Sequence, residues 1–270
     1  MTAEIKVDLL QPLITVALPV FNGGDFLEHA VRSIVNQTWK NWELLIIDDG
    51  STDGSIDRLP FLSDVRISVV RDGQNKGLAA RLNQAVLLAN GKYFARMDHD
   101  DICYPERFFL QLEYLEQHQE VDLLSTKCIE MCEDGALKKP WPFAKTHAVI
   151  CRRPWLGFYM PHPSWMGRIE WFRKNRYKEP APYCCEDQEL LLRAYAESNY
   201  DALDCVLLAY RVRDHNPMSK LFRTCVAMLK MQMIYFIGKR QFTFALLSGL
   251  AFFGRVFKYG SKNFYAIIAK

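Results

Sequence analysis

The strongest constraint on the fold is an alternation in the first hundred residues. Four short apolar runs, "LITVAL", "WELLIID", "DVRISVV" and "KYFARMD", are separated by stretches with helical spacing such as "FLEHAVRSIV" and "GLAARLNQAVLLAN". Near-continuous apolar runs of this length suit strands buried on both faces, and the helices between them supply the crossovers that parallel strands need. The expected architecture is therefore α/β, a mostly parallel central sheet flanked by helices. Two local expectations accompany it. Pro19 should end the first strand. Asp25, with Glu28 three positions on, should form a capping box at the helix that follows.

In open sheets of this kind, ligands collect beyond the carboxyl ends of the strands. Three strand ends carry unusual residues: Pro19-Val20-Phe21-Asn22, Asp48-Asp49-Gly50-Ser51 and Asp98-His99-Asp100-Asp101, the last reached through Arg96-Met97. Parallel neighbours would open all three on one crevice. Crowding carboxylates at a strand end costs repulsion and desolvation, and a cation offsets both. Asp98 and Asp100, at i and i+2, can be aimed by a turn at one Mg²⁺ or Mn²⁺, which keeps positions free for phosphate oxygens. A solvated acidic turn is the alternative; the second acidic strand end upstream favours the cation. Asp48 or Asp49 can accept from a base N–H or a ribose hydroxyl.

Further along, "CEDQELLLRAYAE" reads as a helix opening with Glu186-Asp187. These carboxylates either complement the helix dipole or do chemistry. In "MPHPSWMGR", His162, Ser164 and Trp165 either pack around two prolines or form part of a platform for a sugar acceptor, since aromatic faces stack on sugars.

The chain has 270 residues, 50% of them hydrophobic, enough for one large domain or a domain with an appendage. Its first twenty residues lack the basic and apolar regions of a secretory signal. The eight cysteines form no CxxC pair, so no zinc framework is expected, and scattered thiols fit a reducing cytosol. Charge is uneven. From Met218 to Lys270 there is no Asp or Glu and there are nine Lys or Arg, leaving 25 basic against 31 acidic residues before it. A basic, aromatic-rich tail implies an anionic partner. Its aromatics sit in long aliphatic runs, which points to a membrane surface and not to nucleic acid. The run Phe242–Phe253 is too short to span a bilayer, and the tail is expected to break at Gly238-Lys239-Arg240 and again at Gly254-Arg255. A helical pair packed on the rest of the chain is the alternative.

The segments "ITVALPVFNGGDFLEHAVRSIVNQT", "ELLIIDDGSTDGS", "NKGLAARLNQAVLLANGKYFARMDHDD" and "CEDQELLLRA", in this order, resemble the family 2 glycosyltransferases of the GT-A fold. The resemblance covers the first hundred residues closely and resumes near Glu186-Asp187. It implies a GT-A type, Rossmann-like catalytic domain over 1–217, with a nucleotide-sugar half to about 101 and an acceptor half to 217. Residues 218–270 would be an amphipathic helical appendage.

The resemblance also implies inverting transfer of one sugar from a nucleotide-sugar, a UDP-sugar first among them, with a divalent cation. Pro19, Val20, Phe21 and Asn22 would line the nucleotide pocket, and Asp48 and Asp49 would meet the base and ribose. Lys76 and Arg81 would hold the nucleotide or its phosphates. Arg96 and Met97 would belong to the same donor set, Asp98 would touch the ribose or the metal's water, and Asp100 would be the direct metal ligand. Asp187 would be the general base, with Glu186, His162, Ser164 and Trp165 on the acceptor side. In "YRVRDHNPMS" the family's usual His position holds Arg213, and His215 lies two further on, so either could meet the diphosphate or its metal. The Gln-x-x-Arg-Trp pattern of processive synthases is absent, which implies addition of a single sugar.

The acceptor implied is a glycan or lipid-linked glycan of cell-surface polysaccharide or lipopolysaccharide type, met at the inner face of the cell membrane by a cytoplasmic, peripheral enzyme. The competing readings are a metal-dependent sugar nucleotidyltransferase and a non-catalytic sugar-nucleotide-binding subunit. A dehydrogenase is disfavoured because no GxGxxG follows the first strand.

Overall fold

The computed structural model describes residues 11–213 and 217–268, with side chains as far as 258. The first part contains β1 (Ile14–Val20), α1 (Phe26–Val35), β2 (Trp42–Asp48), β3 (Ile67–Val70), α2 (Leu78–Leu88) and β4 (Tyr93–Arg96). The second adds β5 (Ile102–Cys103), α3 (Arg107–Gln117), β6 (Leu123–Met131), β7 (Leu137–Pro140), α4 (His147–Ile150), β8 (Met166–Arg168), α5 (Ile169–Lys174), α6 (Glu186–Ala194) and β9 (Tyr200–Arg211). Two long helices follow, α7 (Met218–Gly238) and α8 (Phe242–Ile268).

The strands form one sheet in the order β3-β2-β1-β4-β8-β6-β9-β5, with β7 on the edge of β6. The first four are parallel, as their apolar runs imply. Beyond them the sheet is mixed, because β8 enters antiparallel between β4 and β6. β6 and β9 are again parallel to each other.

Alternation along the strands divides the core in two. Val16, Leu18, Leu44 and Ile46 point to one face, against Leu27, Ala30, Val31 and Ile34 of α1. Ala17, Leu45 and Ile47 point to the other, against Ala79, Leu82, Ala85 and Val86 of α2. Successive residues thus serve opposite layers, which is why these strands carry so little polar alternation.

Two local expectations give way. β1 runs through Pro19, which pairs in register with Ile47. Ala17 accepts from Met97 N–H on the β4 side, and Pro19, two residues on, faces that same side after β4 has ended at Arg96. No ladder donor is needed there, so proline fits. The capping box does not form. Asp25 is helical and caps nothing with its side chain, and Glu28 instead pairs with Arg32 at 2.5 Å. It is Asp53, from the loop after β2, that accepts the Gly24 N–H at 2.8 Å.

The tail is a helical hairpin with one break. The chain turns at Lys239–Gln241, but α8 continues through Gly254-Arg255 without interruption. Met231, Phe236 and Ala245 join the same core as α2 and α6, so the hairpin is packed on the body. Its outer side presents Phe222, Ile234, Leu246, Leu250 and Phe253 to solvent. Among the described residues only Met218–Gly238 is long and apolar enough to cross a membrane by length and composition.

Candidate active site

The ends of β1 and β2 are stitched together by their own loops. Asn22, at φ 51°, donates its N–H to Ser51 Oγ at 3.0 Å and accepts from Thr52 N at 2.8 Å. Asp48 accepts from Ser51 N at 2.8 Å, and its other oxygen lies 3.7 Å from Arg71 Nε. Phe21 stands exposed at the rim, 47% accessible. Gly50, at φ 80°, lets the loop 74–77 approach; a Cβ there would lie 3.0 Å from the Gln74 carbonyl carbon.

That loop is held by Asp49. Its carboxylate accepts from Lys76 N at 2.7 Å, Gly77 N at 3.0 Å and Arg81 Nε at 2.8 Å. Arg81 is fully buried and also forks onto Asp72, whose carboxyl it holds far below the ordinary range. The expectation that Arg81 and Asp49 meet the nucleotide directly is therefore corrected. They form a buried ion pair behind the pocket wall, and Lys76, exposed, is the cation of this loop that lines the cleft.

At the end of β4, Arg96 is buried and both its terminal nitrogens donate to the Asp98 carboxylate. Asp98 is thus held in an ion pair with its own neighbour. Burial, then the charge of Asp98, pushes the Asp100 carboxyl up, while His99 and Arg213 pull it down. Asp101 is buried deeper, accepts from Arg211 N at 2.8 Å, and is raised well above its ordinary value by burial and by Asp98 and Asp100. Arg211 also donates to the Asp100 carbonyl at 2.8 Å, fixing the turn to β9. No trio of His, Cys, Asp or Glu side chains arranged for a metal occurs among the described residues. The donor set fits the alternative mode in which Mg²⁺ or Mn²⁺ takes one or two carboxylates and completes its shell with water and phosphate. A raised carboxyl at Asp100 is one whose ionised form a cation would stabilise.

Asp98, Arg96 and Lys76 share a cavity of about 1170 Å³ with His162, Glu186 and Asp187. Glu186 and Asp187 open α6, whose N-terminus favours negative charge. Burial is the larger influence. It raises both carboxyls, Glu186 to about 7 with help from the Asp187 charge, while Gln188 and Arg96 oppose the rise at Asp187. His162 lies with Nδ1 3.9 Å from Glu186 Oε1, and its Nε2 meets Tyr177 Oη at 2.7 Å. Burial and the Arg96 charge hold His162 well below its ordinary value, so it is neutral.

Four other residues expected at the site lie buried. Trp165 is fully buried, donates to the Met160 carbonyl at 3.2 Å and packs under His162. Ser164 is buried and joins Pro161 O to Thr126 N. Neither offers an acceptor platform. Met97 and Val20 are buried as well and touch the site only through backbone. His215 lies outside the described residues, whereas Arg213 is described, exposed and close enough to influence Asp100.

Sequence reasoning passed over Tyr177, Tyr183 and Gln188. All three border the cleft or hold its residues, and none carries a motif. Asn83 could have drawn notice as a polar residue on the apolar face of α2. It clamps the Tyr177 backbone in both directions, at 2.9 Å each way.

Comparison with known proteins gives the family and the fold. Residues 15–176 match the family model described as glycosyl transferase family 2. The chain is 36% identical over 128 residues to the putative glycosyltransferase EpsE of Bacillus subtilis, covering 46% of each. It is 38% identical over 107 residues to the putative teichuronic acid biosynthesis glycosyltransferase TuaG of the same organism, covering 39% of this chain and 42% of that one. The chain thus spans less than half the length of these two relatives. A longer match, 28% identical over 208 residues, is to an uncharacterised glycosyltransferase of Methanocaldococcus jannaschii, covering 75% of this chain and 71% of the other. Among solved structures, residues 1–349 of S. aureus TarS in complex with UDP-GlcNAc superimpose with a TM-score of 0.67 at 18% identity, over 83% of this chain and 65% of that one. The fold is GT-A, and the chain belongs to glycosyl transferase family 2.

Proposed function

We propose that this chain is an inverting glycosyltransferase that moves one sugar from a nucleotide-sugar, a UDP-sugar foremost, to a hydroxyl of a glycan or lipid-linked glycan. The observation that carries the reading is the shared cavity, in which Asp98, the first carboxylate of the turn after β4, faces the carboxylates that open α6. TarS, the structural neighbour, is seen with UDP-GlcNAc and with UDP, which supports a UDP donor here. The kinship with TuaG supports an acceptor of the cell-surface polysaccharide class.

In this reading the loops after β1 and β2 hold the nucleoside, with Asp48, beside Ser51 and Arg71, accepting from it and Asp49 bracing Lys76 toward the phosphates. A divalent cation held by Asp100 would supply Lewis-acid stabilisation of the departing diphosphate. Asp187 takes the proton of the acceptor hydroxyl as that oxygen bonds to the anomeric carbon, and the C–O bond to the diphosphate breaks with its electron pair. One base suffices for attack from the opposite face. Glu186 and neutral His162 border the acceptor. The outer face of α7 and α8, apolar and basic with no acid, supports a peripheral position on an anionic membrane.

The test is a transfer and donor-hydrolysis screen with UDP-, dTDP- and GDP-sugars, with and without Mn²⁺ or Mg²⁺. Metal-stimulated release of one nucleoside diphosphate, lost in Asp100→Ala, is expected. Donor binding with no turnover, and no effect of Asp187→Asn in cells, would instead favour a binding subunit.

A further inference from the structure

The hairpin α7–α8 grips one turn of the body. Gln232, buried, donates to the Pro154 carbonyl at 3.2 Å and to the Trp155 carbonyl at 3.1 Å. Arg255 donates to the next carbonyl, Leu156, at 2.8 Å. Three consecutive carbonyls of the turn are thus taken by side chains of the hairpin. Gly157 follows at φ 89°, and the space where its Cβ would be is filled by Met228 Cε of α7 and Gln188 Oε1 of α6, at 2.5 and 2.7 Å. No other residue could let these three elements meet.

Gln188 is clamped at both ends of its amide. Its Oε1 accepts from Phe158 N at 2.8 Å, and its Nε2 donates to Phe158 O at 3.2 Å. The second hydrogen on Nε2 is directed at Asp187 Oδ2, 3.1 Å away. An amide fixed this way has one orientation, and it presents a donor to one oxygen of the carboxylate while leaving the other for substrate. The partner of Gln188 is the Phe158 backbone, two residues beyond the last carbonyl the hairpin holds and next to Gly157, against which Met228 of the hairpin packs.

We propose that Gln188 is a positioning residue for Asp187, and that the α7–α8 hairpin sets its geometry through the turn 154–158. This rests on Asp187 being the base. The hairpin is then part of the acceptor half's machinery, and whatever docks on its outer face bears on the same frame that aims the carboxylate.

The charged and titratable groups facing Asp187 are Glu186 on α6, Cys185 just before it, Arg96 from β4 with Asp98 beyond it, and Tyr177 and His162 from the wall opposite, while Tyr183, Cys184 and Lys220 line the same cavity. Gln188 is the neutral donor among them, and its hydrogen bond favours the ionised carboxylate.

The experiment is the pH dependence of kcat for sugar transfer by the full chain, with the donor found in the screen. Gln188→Met keeps length and removes both polar atoms. The acid limb is expected to move up by about one pH unit, the size of one lost hydrogen bond to a charged group, with donor KM unchanged and the rate recovering at high pH. Gln188→Glu should move it further, by adding a like charge. Gln232→Met should move it the same way by less. A limb that stays in place in Gln188→Met while the rate falls equally at every pH would overturn the proposal. A shift in Gln188→Met with none in Gln232→Met would overturn the part assigned to the hairpin. Full activity in Asp187→Asn would instead overturn the reading of Asp187 as the base.

Discussion

The proposed donor side and the proposed acceptor side are built by different means. On the donor side, functional side chains leave the ends of parallel strands, and each is secured by the loop next to it: Asn22 with Ser51, Asp48 with Ser51, Asp49 with the loop 76–77. On the acceptor side, residues come from a short turn, a helix start and a wall of buried polar groups, and are braced by side chains that belong to no strand end. His162 rests on Tyr177, Tyr177 on Asn83, and Gln188 on Phe158. Groups gathered at the ends of parallel strands are readable as motifs. Groups braced by scattered buried side chains are readable only once the chain is folded.

The sharpest way to break this comparison is Asp187→Asn. Loss of a general base typically costs 10²–10⁴-fold in rate, so transfer should fall by about that factor while donor binding, measured by calorimetry, is retained. Equal loss of donor binding would mean the two sides are not separable. Next in size is Arg81→Met. It leaves buried Asp49 without its guanidinium, and breaking such a pair costs about 3–5 kcal/mol. The urea midpoint should drop and donor KM should rise together. Arg81→Lys should not rescue, because an ammonium cannot fork onto two carboxylates. Trp165→Ala should cost about 3–5 kcal/mol of stability, as for a buried aromatic, and a change confined to acceptor KM would restore it to the acceptor surface.

A smaller effect is set by pH. Burial and the Asp187 charge raise Glu186 to about 7, so folding favours its uncharged form. Its contribution to stability is complete below the ordinary carboxylate range and is lost as the pH rises through about 7. Glu186→Gln should flatten that decline in a series of melting curves. The smallest effect is expected at the outer hairpin. Leu246→Ser with Leu250→Ser alters exposed positions, so stability should change within about 0.5 kcal/mol per site. Sedimentation with vesicles containing phosphatidylserine should nevertheless weaken, and unchanged sedimentation would remove the membrane from the proposal.

The fold of the first hundred residues was legible because its cause is local: buried parallel strands need unbroken apolar runs, and their connections need helices. β8 was not legible. A three-residue strand that pairs antiparallel has no periodicity to display, and only the burial of Met166 and Gly167 between β4 and β6 defines it. The carboxylates were legible by type and place, but not by partner. Asp48 and Asp49 are adjacent in "DDGS", yet one holds the Ser51 N–H and the other is consumed by Arg81. The arginine responsible sits on the apolar face of α2, where its neighbours in sequence suggest a solvated side chain. Trp165 and Ser164 misled for the opposite reason. Their types suit sugar binding, and only the sheet's path puts them beneath the surface.

The insertion of β8 has a consequence for the scale of the cleft. Adjacent strands lie about 4.8 Å apart, so the width between β4 and β6 can change only by whole strands. With β8 absent, the acidic turn and the wall carrying the acceptor groups would stand one spacing closer, near the thickness of a single strand. With it present, β4, β6 and β9 keep a common direction, and the reversed strand begins at the open edge, carrying the turn of His162 to the floor. A three-residue segment thus acts as a gauge block. It fixes, in steps the chain cannot subdivide, how large a molecule the two walls can hold between them.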